Sequence, residues 1–231
     1  MKKADLIFIL CFILFFLPFF IFDDVYQFYY DFNKQHGYIM SYIKFFMLAP
    51  VGEVIGLRIR TGHYGIRGFG IIPRAIVWGF LGISVKMAFD IFYAGAPVMM
   101  NKVWSGFPAD IMKQGFSGLK LLGAFAISFT MNIFYAPVLM TVHKISDEHI
   151  MMNGGSLKRF FSPVKAEKIM GNINWKVMWN FVYKKTIPLF WIPMQTINFL
   201  LPEAYRILVA ALLGIVLGII LAIASLKGQG K

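Results

Sequence analysis

Cysteine is almost missing from this chain. Cys11 is alone among 231 residues, so an intramolecular disulfide and a dithiol relay are both excluded. It lies in an apolar run, where a small thiol acts as filler. Charge is scarce too: 15% of residues are charged, and acids number 11 against 23 Lys and Arg. That is too little polar surface for a soluble globular domain. The four histidines, His36, His63, His143 and His149, fall in expected loops or span ends. No H-E-x-x-H, P-loop, paired-cysteine or G-x-S-x-G pattern accompanies them. His143, Asp147 and His149 come nearest to a metal cluster, but their spacing fits no standard zinc site. No catalytic residue, metal or cofactor is therefore expected, and the chain does not read as an enzyme. Internal repeats and low-complexity linkers are also lacking, which favours one membrane domain over 1–231.

What is present is hydrocarbon. Hydrophobic residues make up 58% of the chain and gather in blocks of about twenty, the length that crosses a bilayer as a helix. Six candidate spans follow: 5–22, 38–58, 75–95, 119–142, 179–201 and 204–225. Lys2 and Lys3 before the Leu6–Phe22 run resemble a signal peptide, yet bulky Phe19 to Phe22 offer no small-residue cleavage site, so an uncleaved first span is expected. With the N-terminus cytoplasmic, sixteen of the 23 basic residues fall on the cytoplasmic side. This bias puts both termini inside and explains the net charge of +12 without nucleic acid. The fold class is thus an all-α polytopic bundle. The Lys-led start, with no Arg- and Ser-rich transit sequence, points to a bacterial cytoplasmic membrane.

Three connections look interfacial. Residues 23–36 form an aromatic belt, 98–117 a surface-lying segment rich in Met and Trp, and 144–178 a cytoplasmic basic loop that would attract anionic headgroups. Within the spans, polar groups mark helix contacts or a pathway. Glu53 lies between Gly52 and Gly56, a G-x-x-x-G step, and either lines an ion pathway or pairs with Arg58 or another base. Lys86 and Asp90 share one helix face. Ser128, Thr130 and Asn132 suit interhelical hydrogen bonds, and Pro137 should kink the fourth span. Gly214 and Gly218 form a second G-x-x-x-G step. The richest stretch, FWIPMQTINFLLPEAYR at 190–206, spaces Trp191, Gln195, Asn198 and Pro202 along one helical stripe.

That stretch resembles the C-terminal signature of the family of the twenty-two-kilodalton peroxisomal membrane protein and mitochondrial Mpv-seventeen, roughly W-P-x-x-Q-x-x-N-F-x-x-V-P-x-x-x-R. Trp191, Gln195, Asn198, Phe199, Pro202 and Arg206 fill it. The proline falls at Pro193 instead of beside the tryptophan, and one residue is missing before Pro202. Asn174-Trp175, Glu53 in VGEVIG, Tyr135-Ala136-Pro137, and Gly82 with Pro97 add weaker matches. Ile83, Lys86, Ala88 and Phe89 replace other family residues. Similarity extends over about 45–225, within a family-like bundle at 37–226; residues 1–36 hold the extra span and its interfacial segment. The resemblance implies a helical membrane protein forming a channel or pore for small solutes.

A channel or transporter-like pathway for small polar or charged solutes is therefore expected. Glu53, Lys86, Asp90, Asn132, Gln195, Asn198 and Arg206 would line it, and Gly52, Gly56, Gly214 and Gly218 would pack helices. Partners are the bilayer, the solute and a homo-oligomeric copy. A scaffold without transport is the alternative, and a lipid-modifying enzyme a more distant one.

Overall fold

The computed structural model describes residues 2–229, with side chains described through Leu226. All the regular structure among them is helical. They divide into two compact units, Met1–Met40 and Ser41–Lys231.

In the first unit, α1 (Lys3–Phe16) and the single turn α2 (Pro18–Ile21) divide the expected first span. The division falls at Pro18, whose missing N–H starts a new helix more readily than it continues an old one. α1 buries no residue. The expected aromatic belt forms α3 (Asp23–Gln35), with two acids in its first turn and Lys34 in its last, each matching the helix dipole.

The longest helices are α4 (Gly37–Thr61), whose first residues belong to the first unit, α5 (Ile71–Val103) and α12 (Glu203–Gln229). Each is long and apolar enough to cross a membrane. α6 (Gly118–Phe134) and α7 (Ala136–Met152) make a fourth crossing if counted together; they bend by 43° just before Pro137, the expected kink. At about 1.5 Å per residue, α5 is on the order of 50 Å long, so residues 98–103 continue the helix instead of lying on a surface. Beyond them, Phe107 and a 3₁₀ turn (Ile111–Lys113) pack against Gly123, whose added Cβ would come 2.9 Å from Ile111.

The basic loop is built, not loose. Short helices α8 (Leu157–Phe160), α9 (Ala166–Asn172) and α10 (Trp175–Val177) follow the turn at Asn153. Ile169, Ile173 and Met178 form a small core of their own against Met140, Ile145 and Val182. Gly70 (φ +66°) and Gly155 (φ +68°) adopt left-handed conformations and meet; a Cβ on Gly155 would lie 2.6 Å from Gly70 N.

The expected fifth span takes two geometries. Met178–Trp191 winds as a π-helix and leads directly into α11 (Ile192–Leu200). A π stretch this long is unusual. The wider turn suits Thr186, whose hydroxyl donates to Phe181 O five residues back, and Pro188, which has no N–H to place. Pro193 occupies the first turn of α11, where a donor is not needed.

The second unit has a mainly apolar core, yet polar groups are enclosed in it while large apolar side chains face outward. Ser41, Ser128 and Asn198 are fully enclosed, while Phe80, Phe134 and Leu189 lie open. Small residues bring backbones together inside. A Cβ on Gly52 would meet Ile215 Cα at 2.9 Å, and one on Gly218 would meet Gly52 O at 3.2 Å. The two G-x-x-x-G steps thus pack α4 against α12 within one chain. Gly214 is the exception, with nothing within 4 Å of its Cβ position.

Candidate functional site

Three helices converge on one carboxylate. Glu53 comes from α4, Arg74 and Trp78 from successive turns of one α5 face, and His143 and Asp147 likewise from α7. Trp78 Nε1 donates to Glu53 Oε1 at 2.6 Å, and Arg74 Nη1 donates to Oε2 at 2.6 Å. His143 Nε2 lies 3.0 Å from Oε1, with its ring 4.3 Å from that of Trp78. Arg74 also donates to Asp147, and through Nε to Phe69 O at 2.7 Å. The partner that Glu53 finds is therefore Arg74, not Arg58, which donates to Gly62 O. His143, expected at the end of the fourth span, joins the cluster from inside α7.

Glu53, His143 and Asp147 each present a ligand atom within 4.8 Å of the others. A metal ion would have to compete there with a guanidinium that already bonds both carboxylates and an indole that already bonds Glu53. Arg74 supplies the positive charge a cation would bring, so the trio reads as a neutralised clasp between helices. His149 stands apart, its Nε2 2.8 Å from Phe160 O.

The clasp borders a cavity of about 680 Å³ in the second unit, a volume typical of small-ligand sites. Its walls are largely apolar, including Ala49, Leu57, Val85, Met131, Ala211 and Leu217. Exposed Arg60 and Arg67 and half-buried Lys144 line it, as do Asn132, Trp191 and Gln195. Of the residues expected to form a pathway, Glu53, Asn132 and Gln195 thus meet in one space, and Gly52, Gly56, Gly214 and Gly218 line it with them.

The others lie elsewhere. Lys86 Nζ pairs with Asp90 Oδ1 at 2.5 Å and approaches Glu203 Oε1 at 3.4 Å, neutralising itself as its spacing allowed. Buried Lys44, which the sequence did not single out, lies within electrostatic range of Lys86. Asn198 Nδ2 donates to Gln195 Oε1 at 2.9 Å and to Arg206 O at 3.0 Å, tying α11 to α12 across Pro202. Arg206 donates to Leu201 O and rests 4.3 Å from the Tyr93 ring. Phe199 packs on Phe89 at 4.9 Å. Ser128 makes the interhelical bond expected of it, to Ile192 O at 2.7 Å, whereas Thr130 and Asn132 bond back within α6.

Comparison with protein-family models, curated proteins and solved structures returns no match.

Proposed function

We propose that this is an integral membrane protein whose second unit forms a channel or transporter-like pathway for small polar or charged solutes. The observation that carries the reading is the convergence of Glu53, Asn132 and Gln195, from three separate apolar segments, on one cavity with basic residues in its wall. Apolar faces turned outward and polar groups turned inward suit a lipid surround. Six crossings follow if α1 with α2, and the π-helix with α11, each count as one. Both termini then lie on the cytoplasmic face. The contact between Gly70 and Gly155 fits this, since it keeps the basic segments after α4 and after α7 on the same side. A bacterial cytoplasmic membrane, argued from the Lys-led start, and kinship with the peroxisomal and mitochondrial family named above, argued from residues 190–206, are part of the proposal.

The test is solute release from sealed liposomes, graded by size and charge, beside Gln195→Leu/Asn198→Leu. Release with a cutoff, lost in a folded variant, supports a pathway. Tight liposomes around folded protein favour the scaffold reading, which the self-satisfied Glu53 clasp recommends. Under that reading the same substitutions lower thermal stability with no flux to lose. No catalytic step is proposed, because both carboxylates of the clasp are committed to Arg74.

A further inference from the structure

The charge left uncompensated in the cavity wall is of one sign. Every carboxylate in its wall is engaged: Glu53 accepts from Trp78 and Arg74 and faces His143, and Asp147 accepts from Arg74. Gln195 spends its Oε1 on Asn198, and no hydrogen bond among the described residues uses its Nε2. Trp191 Nε1 is buried without a partner. No carboxylate among the described residues pairs with Arg60 or Arg67, whereas Lys144 is held by Glu148 at 2.9 Å. What remains is two guanidinium groups and one amide N–H, against neutral acceptors only: Asn132 Oδ1 and the hydroxyl oxygens of Thr186 and Tyr135. Between these donors the wall is hydrocarbon.

A strong cation finds no free carboxylate here, and a neutral sugar-like solute leaves both guanidinium groups without an anionic partner. An anionic head on an apolar body satisfies both halves of the site. Its oxygens accept from Arg60 and Arg67 in the planar, forked geometry that suits carboxylate and phosphate. Its hydrocarbon replaces water along the apolar wall.

Resting on the pathway reading for what it does, but not for whether it binds, we propose that the cavity takes an amphiphilic organic anion, a carboxylate or phosphate borne on an apolar chain. Arg60 and Arg67 engage the head, and the space beside Gly214 receives the chain. Gln195 Nε2 donates to any further oxygen the molecule carries.

Gly214 supplies the decisive variant. It lines the cavity, and its Cβ position is open, so Gly214→Leu fills the space without a backbone clash. The protein is placed in neutral-lipid nanodiscs with Trp104, Trp175 and Trp179 changed to Phe, leaving Trp78 and Trp191, both in the cavity wall. Fluorescence quenching is then titrated with a dibrominated long-chain carboxylate, its methyl ester, and an alkyl phosphate competitor. Saturable quenching by the acid is expected, at least tenfold weaker with the ester, and lost in Gly214→Leu. Arg60→Gln/Arg67→Gln, confined to exposed side chains, should weaken it about tenfold. Relief of quenching by the alkyl phosphate assigns the shared anionic head; no relief restricts the site to carboxylates. Equal quenching by acid and ester, unmoved by Gly214→Leu, overturns the proposal. Binding without solute release would sink the pathway reading and leave the ligand class standing. Release without preference for anions would do the reverse.

Discussion

Arg74 carries the largest electrostatic responsibility of any single side chain. It is 6% exposed and joins Glu53 of α4 to Asp147 of α7. Arg74→Met leaves two half-buried carboxylates without that cation, with only His143 beside them, and breaking a buried pair from one side costs up to about 3–5 kcal/mol. Thermal unfolding in detergent should show that loss, with partial recovery in Arg74→Met/Glu53→Gln. Unchanged stability in the single variant would contradict the clasp. Glu53 was legible as a group needing company, because a carboxylate amid apolar residues has few alternatives. Its company was not legible. His143 lies 90 residues away in sequence, and no local periodicity encodes a contact at that separation. Asn198 and Gln195, three residues apart on one helix, were legible for the opposite reason.

Among elements, the seam between α4 and α12 predicts opposite responses from two glycines of similar appearance. Gly52→Val drives a branched side chain into the backbone at Ile215 and should cost about 1–3 kcal/mol. Gly214→Ala meets no atom within 4 Å and should stabilise α12 by up to about 1 kcal/mol through helix propensity. Denaturation of the two variants side by side gives the sign of each. Gly155→Ala, at positive φ and against Gly70 N, should open the loop contact and speed proteolysis near Arg67 and Lys158, while leaving the helical signal intact. The helices themselves were readable from their apolar blocks, and the α6–α7 break from Pro137. The π winding was not, since propensity separates helix from strand but not one helical pitch from another. The seating of Phe107 and Ile111 on Gly123 also escaped notice, because an aromatic segment reads the same whether it meets lipid or protein.

For the whole molecule, the proposed topology predicts which surfaces face which compartment. In a Cys11→Ser background, Phe116→Cys should react with a membrane-impermeant maleimide in intact cells. Lys158→Cys should react only after permeabilisation. Both positions are exposed, so equal labelling from outside would reject the proposed orientation. Charge distribution alone carries the proposed orientation. It could not reveal that apolar walls and basic groups share one cavity, because that depends on how the helices turn about their axes.

The pairing of Glu53 with Arg74 also bears on how the chain enters a bilayer during synthesis. The two residues are 21 positions apart, on helices joined by one short loop, so the cation leaves the ribosome soon after the anion. An acid at the middle of a lone helix is penalised by about 2.5–3.5 kcal/mol at the translocon, and Glu53, past the middle of α4, meets part of that penalty. Entering as a hairpin, α4 and α5 would bring that acid in already neutralised, well before α7 is made. Asp147 and His143 would then arrive at a finished ion pair and lock it in place.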